Sequence, residues 1–188
     1  MVFYHGSDNA NLTELTTDFA NHGAVFLTKR YSSAVLYGAC SIRFWAYDKE
    51  NDKLIIREVC EDCLEKMYKG KTFYIYTTED VEDVEEYEVS GCTNYKTLHN
   101  VKLVEKEVVS DAYEKIMELY NAGELKLSFW EDLTPEQQQN QKEKLKHGIC
   151  ADMKLNYTKY RKDYDVLVKL YPEFALSEQE IAEIEMKK

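Results

Sequence analysis

The chain has 188 residues, 44% of them hydrophobic and 31% charged, with a formal net charge of −11 at pH 7. This length fits one domain, or one domain with a helical extension, and the apolar content is enough for a packed core. The acidic balance argues against non-specific nucleic-acid binding, which rests on Lys and Arg neutralising phosphates, and against docking on anionic membranes.

No apolar run approaches the roughly 18 residues of a membrane-spanning helix, so no membrane partner is expected. The N-terminus carries no basic-then-apolar signal pattern. The 5 cysteines are odd in number and scattered, which is not a disulfide framework. These features lead us to expect a soluble protein of a reducing cytoplasm.

In chain order, Val2-Phe3-Tyr4 reads as a strand running into His5-Gly6-Ser7, with a turn at Ser7-Asp8-Asn9. Gly23 to Thr28 reads as a second strand, and Ser32 as the N-cap of a helix through Tyr37. Arg43 to Tyr47 and Lys53 to Glu58 alternate like a hairpin that turns at Asp48 to Asp52. Val59, Cys63, Leu64 and Met67 have helical spacing, and Gly70 ends that helix. Lys71 to Thr77 is rich in Phe, Tyr, Ile and Thr and is the clearest strand. Asp80 to Glu88 reads as an acidic loop, and Val101 to Val109 as one more strand.

From there the pattern becomes helical. Asp111 caps a helix expected to bury Ile116, Leu119 and Tyr120. Thr134-Pro135-Glu136-Gln137 starts another, ended by Gly148. Met153, Tyr157, Tyr160, Tyr164, Leu167 and Tyr171 share one face up to Pro172, and Ser177 to Glu180 starts a last short helix. Lys142, Lys144, Lys146 and Lys154 read as a solvated helix face. The expected organisation is an α+β domain over residues 1–109 and an all-helical extension over 110–188.

Few residues stand out chemically. Cys60-x-x-Cys63 has no second ligand pair to complete a zinc site, so it reads as buried thiol. His22, His99 and His147 read as surface residues without partners. His5 differs, because it closes a strand beside Gly6, where an absent side chain lets a ligand approach the backbone. A histidine in that position is either a structural core residue or part of a binding wall.

Phe3-Tyr4-His5-Gly6-Ser7 and Val25-Phe26-Leu27-Thr28, with Ala34 and Tyr37 following, resemble the first two motifs of the ADP-ribosyltransferase superfamily in its poly(ADP-ribose) polymerase and diphtheria-toxin-like branch. The match covers about the first 40 residues. The resemblance implies split mixed or antiparallel sheets with short helices and a cleft between them that takes NAD as substrate. It implies that His5 bonds a ribose hydroxyl and the Gly6 backbone holds the nicotinamide amide. Phe26 and Tyr37 would stack on the nicotinamide, while Ser7, Thr28 and Ser33 would line the pocket. Cleavage of the nicotinamide–ribose bond, with transfer of ADP-ribose to an unknown macromolecular acceptor, passes through an oxocarbenium-like transition state that a carboxylate must stabilise. One such electrostatic group is worth about 3–4 kcal/mol. In one register Asn94 occupies that place at the start of a late strand; in shifted registers Glu88 or Glu86 does. With Asn94 there, the implied role changes to a catalytically degenerate relative, a nucleotide- or protein-binding module.

Overall fold

The computed structural model describes residues 1–17, 23–39, 45–89, 91–155 and 157–185. Among them, mixed α and β structure is arranged in several antiparallel sheets. The strands are β1 (Phe3–Ser7), β2 (Glu14–Leu15), β3 (Val25–Leu27), β4 (Trp45–Asp48), β5 (Lys53–Arg57), β6 (Phe73–Thr78), β7 (Glu85–Val89), β8 (Cys92–Thr97), β9 (Val101–Lys102), β10 (Glu105–Val109) and β11 (Leu125–Ser128). The helices are α1 (Tyr31–Ala39), α2 (Cys63–Tyr68), α3 (Ala112–Asn121), α4 (Pro135–Leu155), α5 (Tyr157–Leu170) and α6 (Glu178–Glu185).

One compact unit is built from Met1–Cys40, Trp45–Ile56 and Tyr68–Leu127. Its aromatic, β-branched strand β6 is central in the sheet β1-β6-β10, and β8 is central in the sheet β3-β8-β7. The two sheets meet at one bridge, where Tyr4 and Thr28 exchange both backbone hydrogen bonds (2.7 and 3.0 Å). Phe3, Leu15, Val25, Leu27, Tyr95 and Val101 form a buried apolar cluster. Helix α1 packs so closely on β1 that two glycines are required. A Cβ on Gly6 would lie 1.9 Å from the Ala34 carbonyl oxygen, and one on Gly38 would lie 2.5 Å from the Phe73 ring.

Several expectations hold. β4 and β5 pair antiparallel as the hairpin, with Trp45 opposite Ile56; Arg43 and Phe44 lie outside the described residues, as do His22 and Cys40. Asp111 caps α3 by accepting the Glu114 N–H, and Ile116 and Leu119 are buried. Others are corrected. Tyr120 is exposed. α1 starts at Tyr31 rather than after Ser32, because Thr28 Oγ1 takes the Arg30 N–H and the Arg30 carbonyl takes that of Ala34. Residues 85–89 are not loop but the edge strand β7, where outward carboxylates are tolerated and discourage further pairing. The stretch 101–109 is two strands, β9 and β10, that pair with different partners. β11 pairs with β5, so the region beyond residue 109 is not all helical.

The second unit takes in Arg57–Met67 and Ser128–Lys188. Reciprocal capping sets its helix starts: Thr134 with Gln137, and Ser177 with Glu180. Gly148 does not end α4, which continues to Leu155. An interior glycine costs only about 1 kcal/mol, and Leu145, Ile149 and Met153 on that helix are buried. Tyr164, Leu167 and Tyr171 are buried as the aromatic spacing predicts; the side chains of Tyr157, Tyr160 and Lys154 lie outside the described residues. No described helix is long and apolar enough to cross a membrane.

Candidate functional site

Strand alternation divides β1 between two faces. Tyr4 and Gly6 point toward α1, while Phe3, His5 and Ser7 point away from it. The half-buried His5 donates from Nδ1 to the Phe26 carbonyl at 3.0 Å. In the neutral ring this leaves Nε2 as an acceptor. Burial pushes the His5 pKa below 6.5, against a smaller upward pull from the Phe26 carbonyl.

That hydrogen bond falls where the two sheets part. Tyr4 lies opposite Thr28, so continuing the antiparallel ladder would next pair Gly6 with Phe26. That pair does not form, because the imidazole takes the Phe26 carbonyl instead. By the same alternation, the Gly6 N–H and C=O point away from β6 and into the gap.

The opposite wall is the face of the second sheet that carries Phe26, Tyr87 and Asn94. Phe26 and Tyr87 meet edge to face, with ring centroids 5.6 Å apart. Tyr87 lies opposite Asn94 in the β7–β8 register. Asn94 is fully buried; its amide donates to the Cys92 carbonyl at 3.1 Å, and its Oδ1 accepts from the Tyr37 hydroxyl at 3.4 Å. Ser33, one turn before Tyr37, stands 4.0 Å from Cys92 Sγ. Thus one row of α1 rests on β8 while Ala34 and Gly38 rest on β1. The helix spans both sheets where they separate.

His5, Phe26, Asn94 and Tyr37 are thus linked by a chain of contacts: from His5 to the Phe26 carbonyl, from the Phe26 ring to Tyr87, across the ladder to Asn94, and on to Tyr37. His5 itself is on the face of β1 turned away from α1. The other expected site residues have structural duties. Gly6 lacks a side chain because α1 occupies that space. Ser7 Oγ accepts the Asn9 N–H in the following turn, and Thr28 supports the entry to α1. Ser33 is buried against Cys92.

The carboxylate candidates divide by face. Glu86 and Glu88 lie opposite Tyr95 and Thr93, on the far side of the sheet from Asn94. Glu88 there pairs with Lys49 at 2.7 Å. The acid on the Asn94 face is Glu85, which the motif comparison misses; it pairs with Lys96 at 3.0 Å. Tyr87, on the same face, is likewise not among the residues that the two motifs single out. Its signal is the alternation Glu85-Glu86-Tyr87-Glu88-Val89, which the density of acids makes look like loop. Asn94 is the third residue of β8, not the first.

Outside this gap, Cys60 and Cys63 are both buried, and the Cys63 thiol together with burial pushes the Cys60 pKa up. No group of three metal-ligating side chains occurs among the described residues. His147 is exposed. His99 is not without a partner, since its Nε2 lies 3.1 Å from an Asp83 carboxylate oxygen.

The gap between β1 and β3 presents the His5 Nε2 acceptor and, among the described residues, a strand edge without a backbone partner, beside the Phe26 and Tyr87 rings; the Asn94 carboxamide is fully buried and bonded to Cys92 and Tyr37. Such a set can hold a planar heterocycle and hydroxyl groups by stacking and neutral hydrogen bonds. The His5 ionisation also has a measurable consequence. The unfolded chain takes up a proton near pH 6.5, while the folded ring resists until lower pH. Stability is therefore full above about 6.5 and falls as the pH drops toward the lowered folded value. In His5→Asn, urea midpoints between about pH 7.5 and 5 should lose this part of the acid slope; an unchanged slope would refute the assignment. The chain matches no family model, no curated protein and no solved structure.

Proposed function

We propose that the chain binds NAD, or a closely related nucleotide, in the opening between β1 and β3, as an ADP-ribosyltransferase-like protein. One observation carries this reading: His5 is anchored through Nδ1 to the Phe26 carbonyl, so Nε2 and the Gly6 backbone edge are left for a ligand. His5 Nε2 accepts from a ribose hydroxyl, and the Gly6 N–H and C=O match the two halves of a carboxamide. Phe26 with Tyr87, and Tyr37, supply aromatic walls for the nicotinamide.

Binding is better supported than cleavage. Breaking the nicotinamide–ribose bond requires an anionic group near the developing positive charge. The buried Asn94 presents a neutral carboxamide, and Glu88 lies on the other face of its sheet. The leading reading is thus a nucleotide-binding module with little or no turnover. ADP-ribosyl transfer to a macromolecular acceptor is the second reading, favoured by Glu85 on the same face as Phe26 and Asn94.

Calorimetric titration with NAD tests the first claim. Wild type should give a saturable heat, and His5→Ala should bind about tenfold more weakly, the value of one or two neutral hydrogen bonds. The absence of any NAD heat with wild type removes the cofactor from the reading. Nicotinamide release measured on the same samples separates the two readings: release at the uncatalysed rate supports a binder, and release abolished by Glu85→Gln supports a transferase.

A further inference from the structure

On the other face of the β3-β8-β7 sheet lies a cleft of about 410 Å³, lined among others by Phe3, Lys29, Asp80, Val84, Glu86 and Tyr95. It lies on the opposite face of that sheet from Asn94 and Tyr87, because its lining residues Tyr95 and Glu86 are register partners pointing away from them. We propose that this cleft is a docking site for an arginine or lysine side chain of a basic protein segment.

The argument begins with Lys29. Its ammonium stands 4.2 Å from the Tyr95 ring centroid and 5.5 Å from that of Phe3. The two rings pack edge to face at 5.2 Å, and aromatic faces attract a cation through their quadrupole. Lys29 thus shows that an alkylammonium fits over these two buried rings, and it is itself exposed. Asp80 and Glu86 stand at the rim, exposed and without an ion pair among the described residues. Glu79 and Glu82 add further negative charge on the adjoining loop. An aromatic floor under a carboxylate rim is complementary to guanidinium or ammonium and repels phosphate, so the occupant is a basic protein segment and not a nucleic acid. Arginine fits best, since its planar group stacks on a ring while donating to two carboxylates.

The test is calorimetry of the full chain with a short oligo-arginine peptide, in the absence of NAD so that the outcome is independent of the nucleotide reading. Asp80→Asn combined with Glu86→Gln should weaken binding about fivefold, as loss of two exposed charge contacts implies. Lys29→Gln, which removes the competing charge from over the rings, should tighten it about threefold. Lys144→Gln removes the same charge from α4 and should leave affinity nearly unchanged. All of these positions are exposed, so the variants should melt with wild type. The proposal is overturned if wild type does not bind the peptide, if the neutralised rim binds as well as wild type, or if Lys29→Gln and Lys144→Gln shift affinity alike.

Discussion

Replacing Gly6 with alanine is expected to destabilise the first unit by about 3 kcal/mol or more, beyond the usual range for an overpacked position. The new methyl would lie 1.9 Å from the Ala34 carbonyl oxygen and 2.5 Å from the Gly38 nitrogen. Both are backbone atoms of α1, so no rotamer change can relieve the clash. The helix would have to lift away from β1, and its buried residues Ala34, Val35 and Leu36 would lose packing with it. Gly38→Ala should cost less, because its nearest obstacle is the edge of a side chain, the Phe73 ring, and the nearest backbone atom is 3.2 Å away. Urea denaturation of the two variants checks the order. A Gly6→Ala protein within about 0.5 kcal/mol of wild type would mean that the helix does not approach the strand this closely. Loss of ligand binding in Gly6→Ala would accordingly report on the fold and say nothing of contact with a nucleotide.

The second large effect belongs to Glu58 in the other unit. Only 4% exposed, its two carboxylate oxygens accept the N–H of Leu64 at 3.1 Å and of Trp130 at 3.0 Å. One side chain thereby ties the first turn of α2 to the segment that precedes α4. Glu58→Ala orphans both donors and should cost about 3 kcal/mol, whereas Glu58→Gln keeps one acceptor and should cost about half as much. Burial pushes the Glu58 pKa above 4.5, with the Trp130 and Leu64 N–H groups opposing it. The folded form therefore holds its proton to higher pH than the unfolded form. The resulting stabilisation is full below about 4.5 and is lost as pH rises through the folded value. Denaturant midpoints across that range should show this slope in wild type and lose it in Glu58→Gln. A cost for Glu58→Ala below about 1 kcal/mol would contradict the bridging role.

What the sequence made legible was local. The capping pairs at Thr134 and Ser177, the Asp111 cap, the β4–β5 hairpin and the aromatic strand β6 are each specified within a few neighbouring residues. Features set by distant partners were hidden. β7 looks like an acidic loop until Tyr87 finds Asn94 across a ladder, and β11 is a strand only because β5 is beside it. α1 begins early because Thr28, held by Tyr4, already supports its first turn. The candidate site divides in the same way. His5, Phe26 and Tyr37 could be grouped from motif order, and contacts through the Phe26 carbonyl, Tyr87 and Asn94 link them. The side of the sheet taken by Glu88 depends on a register that no short motif encodes. The glycine beside His5 could be read as room for a ligand, but its missing side chain makes room for a helix.

The bond between His5 and Phe26 also bears on how the two sheets stay apart. β1 and β3 are antiparallel edges already joined at Tyr4 and Thr28, and adjacent edges of that kind zip together unless something occupies them. The imidazole holds the carbonyl that Gly6 would otherwise claim, and the ladder stops after one bridge. On the proposed nucleotide reading, His5→Ala removes a ligand contact and also frees the Phe26 carbonyl, so it changes two things at once. His5→Asn separates the two roles, since its amide can still occupy the Phe26 carbonyl while offering no equivalent of Nε2. On that reading one side chain both occupies the edge of the second sheet and presents Nε2 to the nucleotide.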